Sequence, residues 1–176
     1  MGMILSDKDI KREISAGRIV FAPKLSPLQI SGASVDLTLA GRFWIFKNKY
    51  ANSHCPVDLD KVSFYQATEE LRQKSIILSP GQICLGITRE RIKLAPNIMG
   101  SLEGRSRYAR MGLAVHITSA LVQPGSNNHQ VLEIVNFAPF PIKIHEGMRI
   151  SQVVFEYLKN PTSKPYSKFG KVARKQ

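Results

Sequence analysis

The residues best equipped for chemistry lie in two stretches. The first, EGRSRYARMGLAVHI at 103–117, brackets the Ser106 hydroxyl with the guanidiniums of Arg105 and Arg110. Ser106 and Arg110 are four apart, so one or two helical turns between Gly104 and Gly112 put them on one face. Unused backbone N–H groups at the start of such a turn, next to an arginine fork, suit an anion. A solvated basic turn accounts for the same residues. The second stretch is QVLEIVNF, 130–137, an apolar strand with Glu133 in its middle. An ionised carboxylate in an apolar run is costly unless paired or hydrogen-bonded. A buried ion pair or a wet strand face meets that cost. So does a catalytic carboxylate, whose proton affinity burial can tune.

Other chemistries find less support. His116 stands alone in GLAVHIT, and a lone histidine there is more often packed than a ligand. His54, His129 and His145 share no metal-like spacing with it, and the His-x-Glu plus Pro-Cys-x-x-Cys pattern of zinc deaminases is missing. No Gly-rich Lys-Ser/Thr phosphate loop is present. Cys55 and Cys84 form no Cys-x-x-Cys pair, which argues against structural zinc and reads as reduced thiols in the cytoplasm.

The elements that must position these residues are mostly short strands. SDKDIKREISAG predicts one helix near 6–16, with Ser6 and Asp9 as a capping box and Gly17 at its end. SVDLTL, RFWIF, GLAVHIT and FPIKIHEGMRISQVVFEYL all read as strands, as do two runs flanking Ala95-Pro96-Asn97. In SPGQICLGIT, Ile83, Leu85 and Ile87 share one face. The region 56–75 reads as a polar loop with a helical turn. Many short strands with Gly and Pro turns mean an all-β sandwich or closed barrel.

The chain has 176 residues, enough for a single domain, here taken as 1–160 with a basic, flexible tail at 161–176. No apolar run is long enough to span a bilayer, and MGMILSDKDI is too short and acidic for a secretory signal. Against 13 acids stand 25 Lys and Arg, a net charge of +12 that attracts polyanions.

Taken together, GRSRYARMGLAVHIT, then QPG, then VLEI resemble the bacterial dCTP deaminase family, of the trimeric dUTPase fold superfamily. ILSDKDI and ISGASVDLTLAGRFWIF resemble that family's opening helix and first strands, so the likeness runs from about Ile4 to Tyr166. It implies a distorted β-barrel or jelly-roll with a short N-terminal helix, assembled as a homotrimer with sites between subunits.

The resemblance also implies roles. Ser106, Arg110 and Glu133 match the family's catalytic trio, and Arg105 an arginine that contacts phosphate. The wider nucleotide-binding set is Arg107, His116, Thr118, Ser119, Gln123, Tyr166 and Lys168. The implied reaction is zinc-free hydrolysis of dCTP, or a related cytosine nucleotide, to the uracil nucleotide and ammonia, with Glu133 as general base. Magnesium would arrive on the triphosphate, with no metal site on the protein. Three positions depart from the family: Gln123 replaces an acid that binds the sugar, Leu121 replaces a frequent Arg, and Arg107 replaces Ser or Thr. SNNHQ after the Pro-Gly is also unusual. The core for attack at C4 is intact, while sugar and phosphate recognition is altered. A dUTP diphosphatase is the second reading, weakened because the amide of Gln123 cannot act as a base. A non-catalytic nucleotide- or nucleic-acid-binding relative is the third; a nucleic-acid partner is not favoured.

Overall fold

Strand alternation decides most of the architecture. The computed structural model describes residues 3–51, 55–116 and 118–169. It begins with β1 (Met3–Ile4), α1 (Asp7–Ser15), β2 (Ile19–Ala22) and the twelve-residue β3 (Val35–Phe46). Two helical turns follow, α2 (Asn48–Ala51) and α3 (Phe64–Ala67), then β4 (Thr68–Arg72), β5 (Ser75–Leu78) and the long β6 (Ile83–Leu94). The site region comprises β7 (Ile98–Gly104), α4 (Ser106–Ala109), β8 (Leu113–Val115), β9 (Leu121–Val122) and β10 (Asn127–Asn136). The chain closes with β11 (Ile142–His145), β12 (Arg149–Tyr157) and a last turn, α5 (Tyr166–Phe169).

Among the described residues ten strands make one curled sheet, ordered β8-β10-β6-β3-β12-β7-β9. β1 adds to β12, β2 to β6 and β4 to β3, while β11 pairs with β5 apart from the rest. The all-β barrel-like fold expected above is the one observed. Its concave side holds the core, where Leu37, Leu39, Phe43, Leu132, Ile134 and Phe155 are fully buried. Each contributes about 1.5–3 kcal/mol by leaving water.

The opening helix matches its expected signals. The Ser6 hydroxyl accepts from the Asp9 N–H at 3.3 Å, and Asp9 Oδ2 accepts from the Ser6 N–H at 3.2 Å. Gly17 ends the helix at φ +69°, the left-handed region that suits glycine. The strands differ from expectation in three ways. SVDLTL and RFWIF are one strand, β3, whose pairing with β6 shifts register between Leu39 and Phe43. The region 56–75 holds the expected helical turn but also β4, an edge strand on β3. Its sequence TEELR has no continuous apolar face, and Glu70 pairs with Arg42 and Arg72 instead. Ile83, Leu85 and Ile87 do share a face, but the core side of β6 is the alternate one, with Cys84 and Gly86.

Past β12 the chain stays attached to the body. Leu158 N–H donates to Asn97, Thr162 N–H to Pro96 and Tyr166 N–H to Pro124, each at 2.9 Å. Pro165 lies on Gly125, where an added Cβ would come within 2.5 Å of the proline ring. The rest of the expected flexible tail, 170–176, lies outside the described residues. No helix among the described residues is long and apolar enough to cross a membrane.

Candidate active site

The turn α4 carries the first cluster. Arg105 is its N-cap residue, and Arg110 N–H donates to the Ser106 carbonyl at 3.1 Å, closing one helical turn. Ser106 and Arg110 therefore sit one turn apart on an exposed face. Neither the Ser106 hydroxyl nor the Arg110 guanidinium has a hydrogen-bond or ion-pair partner among the described residues. Arg107 is exposed, with its guanidinium 5.6 Å from the Tyr108 ring centre.

Glu133 anchors the second cluster. It sits on β10 opposite Leu85 of β6, half-buried, on the face away from the core residues Leu132 and Ile134. Its Oε2 accepts from the Thr118 N–H at 3.1 Å and the Thr118 hydroxyl at 2.6 Å. Its carbonyl accepts from the His116 N–H at 2.7 Å. No ion pair among the described residues includes Glu133, so the carboxylate is steadied by neutral donors and Oε1 is left open. Among the described residues the strand glutamate makes no buried structural ion pair.

His116 adjoins Glu133 in an unusual way. β8 stops at Val115, and His116 takes φ +60°, uncommon for any residue with a side chain. Its ring Nε2 donates to the Ser119 carbonyl at 2.5 Å, while Nδ1 is buried without a partner among the described residues. Ile117 lies outside the described residues.

The third cluster joins the turn after β9 to α5. Gln123 is half-buried, and its carbonyl accepts from the Ser126 N–H at 3.1 Å. Tyr166 docks by its backbone on Pro124, and exposed Lys168 follows on the same short turn.

The structure thus gathers Glu133, Thr118, His116 and Ser119, and it docks Tyr166 on Pro124, the residue after Gln123. It does not join Ser106 or Arg110 to Glu133 by any hydrogen bond or ion pair among the described residues. The three residues of β8, about 10 Å of strand, run between α4 and the point where His116 meets Glu133. Arg105 departs from a free phosphate arm. Its Nη2 is 3.0 Å from Asp36 Oδ2, and its Nη1 donates to the Arg149 carbonyl at 2.9 Å.

Asp36 is the residue that sequence reasoning passed over. It is 2 % exposed, and Arg149 Nη1 also approaches its Oδ2, at 3.3 Å. Burial pushes its carboxyl up, against the pull of Arg105 and Arg149. Buried Glu90 was missed too; its oxygens accept from Gln29 Nε2 and the Thr38 N–H, each at 2.8 Å. Alternation in SVDLTL reads Asp36 as polar and outward, whereas Glu90 alternates with Ile92 and Leu94 on the inward face of β6. Among the described residues no three His, Cys, Asp or Glu side chains come together as a metal-ligand set.

The comparisons with known proteins define the class first. The solved dCTP deaminase from Agrobacterium tumefaciens superposes with a TM-score of 0.69 over 89% of this chain, at 20% identity. This chain spans about half of that one, 49%, and at this identity the likeness shows the fold alone. The family follows from sequence. A family model described as dCTP deaminase-like matches residues 4–158, and the chain belongs to that family. Among its relatives, "dCTP deaminase, dUMP-forming" of Methanosphaera stadtmanae is 38% identical over 166 residues, covering 93% of this chain and 83% of the relative. The dCTP deaminase of Haloarcula marismortui is 39% identical over 168 residues, covering 93% and 85%.

Proposed function

We propose that the chain is a cytosine-nucleotide deaminase, converting dCTP or a close relative to the uracil nucleotide and ammonia. The observation that carries this reading is the Glu133 carboxylate. It is half-buried on a strand, unpaired with any cation among the described residues, and held by Thr118 through one oxygen only. Such a group is positioned to take a proton yet keeps an oxygen open for water.

In this scheme Oε1 of Glu133 accepts a proton from water as the oxygen adds to C4 of the ring. The same proton passes to N3. The proton of the new C4 hydroxyl then passes through the carboxylate to the exocyclic amine, so the C–N bond breaks, ammonia leaves and a C4 carbonyl forms. Ser106 and Arg110 hold the water and the charge that develops at the ring. Because α4 and Glu133 are apart within a chain, these groups come from two subunits of a homotrimer. Sedimentation at micromolar concentration tests this: a trimer is expected, and a stable monomer would leave each site without half its groups.

Magnesium enters as part of the triphosphate substrate. The compartment is the cytoplasm, where nucleotides and reduced thiols coexist. Buried Cys84, its thiol pushed up to about 12 by burial, is inert there. A second reading, release of pyrophosphate as well as ammonia, is favoured by the dUMP-forming relative. Gln123 opposes it, since an amide cannot act as general base. The test is a panel of cytosine nucleotides with magnesium, read for ammonia and pyrophosphate separately. Ammonia alone is expected; no ammonia from any of them would end the proposal.

A further inference from the structure

The outer face of β6 changes character along its length. Ile83 and Leu85 lie toward the Glu133 end, whereas Arg89, Arg91 and Lys93 project at alternate positions further on. All three are exposed, and the residues between them, Glu90 and Ile92, are buried. Alternate strand residues are about 6.8 Å apart, so the three cations form a row of about 14 Å.

This row is uncompensated. Lys93 is flanked by Val20 of β2 and Asn127 of β10, and Arg91 by Ala22 and His129. Cross-strand neighbours commonly supply opposite charge, and here none does. None of the three cations belongs to an ion pair among the described residues; Arg91 Nε donates only to the Asn127 carbonyl, at 3.3 Å. Charge on an edge strand can serve to block aggregation. That explanation fails at Arg91 and Lys93, because β6 there is an interior strand, paired on both sides. Nor does the deamination scheme use them.

At the Lys93 end the row meets a cavity of about 410 Å³, with Arg18, Ser126 and Asn127 in its wall and Pro165 beside it. That volume lies within the range that holds a small organic ligand such as a nucleotide unit.

We propose that this row, with the cavity at its end, is a binding surface for single-stranded nucleic acid; the row shares no residue with the deaminase site, and the cavity adjoins that site through Gly125 and α5. The row is one strand wide, so it follows one phosphodiester chain; a duplex presents two backbones, and an anionic membrane asks for a broad basic face. Arginine forks grip phosphate in pairs and stack on bases, and His129 and Asn127 offer hydrogen bonds alongside. The cavity takes a nucleotide unit where the row ends. This surface also gives part of the +12 charge a role.

The test is fluorescence anisotropy of a labelled oligo-dT strand against the full chain, from 50 to 200 mM salt. The parent is expected to bind, with affinity falling linearly in log–log form. The variant R89T/R91T/K93T should show a slope shallower by about 2, from three phosphate contacts at about 0.7 each on a single strand. A control, K8Q/K74Q/K143Q, removes the same charge from exposed positions elsewhere and should bind as the parent does. Ammonia release should match the parent in both variants. The assignment is overturned by any of four results: no salt-dependent binding, equal loss in both variants, equal affinity of the parent for duplex DNA or phosphatidylserine vesicles, or loss of ammonia release on removing the row. Should the parent release no ammonia at all, the binding result stands by itself.

Discussion

Arg105 Nη2 lies 3.0 Å from Oδ2 of Asp36, a carboxylate that is 2 % exposed. Since Arg105 caps α4, this pair fastens the turn bearing Ser106 and Arg110 to β3. Arg149 adds a second cation and, through the Leu28 carbonyl at 2.6 Å, ties in the loop before β3. Asp36→Asn should therefore destabilise the chain. Removing one partner of a buried pair costs about 3–5 kcal/mol, and the lower end is expected because both arginines keep some contact with water. A thermal melt superposable on the parent's would show that the pair holds nothing.

A second pair predicts a pH effect. Glu13 is fully buried and accepts from Arg18 Nη2 at 2.7 Å and the Tyr157 hydroxyl at 2.6 Å. The Arg18 guanidinium holds its carboxyl below the usual range, opposed by burial and assisted by Tyr157. A depressed carboxyl means that the unfolded chain binds the proton more readily. Its contribution is therefore full above the unfolded value of about 4.3 and fades as pH falls through the folded one. Glu13→Gln should cost about 1.5–3 kcal/mol at pH 7. In denaturant titrations the gap to the parent should narrow between pH 5 and pH 3. A gap constant over that window would contradict the assignment.

How much of this was legible from sequence follows a physical line. Signals that act over a few residues were readable: the Ser6–Asp9 capping box, Gly17, and the alternation of GLAVHIT and QVLEIVNF. The glutamate singled out in an apolar strand does sit beside His116 and Thr118. What could not be read depends on distant partners. Nothing local in SVDLTL says that Asp36 is buried, because Arg105 arrives from the start of α4 and Arg149 from β12. β4 escaped because an edge strand buries only part of one face and TEELR spends its side chains on ion pairs. Which face of β6 points inward is decided by its neighbours β3 and β10, not by its own alternation. The positive φ of His116 reflects the end of pairing at Val115 and has no signature in the residues themselves.

Gln123 predicts relaxed sugar recognition. An amide binds hydroxyls without charge and can donate as well as accept, so it discriminates less than a carboxylate between one sugar hydroxyl and two. The parent should deaminate CTP within an order of magnitude of dCTP in kcat/KM, and Gln123→Asp should widen the gap in favour of dCTP. A preference for dCTP of several hundredfold in the parent would refute this.

The central claim is that Glu133 moves the protons of deamination, and Glu133→Gln tests it most directly. The swap keeps the shape and lets Thr118 keep an acceptor, but removes the proton-accepting charge. General acid–base groups contribute about 10²–10⁴ in rate, and one carboxylate serving both proton steps belongs at the upper end. Ammonia release from dCTP should accordingly fall by about 10³-fold or more, with melting temperature and nucleotide binding unchanged. A scaffold glutamate behaves in the opposite way. A variant that melts well below the parent yet releases ammonia at the parent's rate would contradict the account.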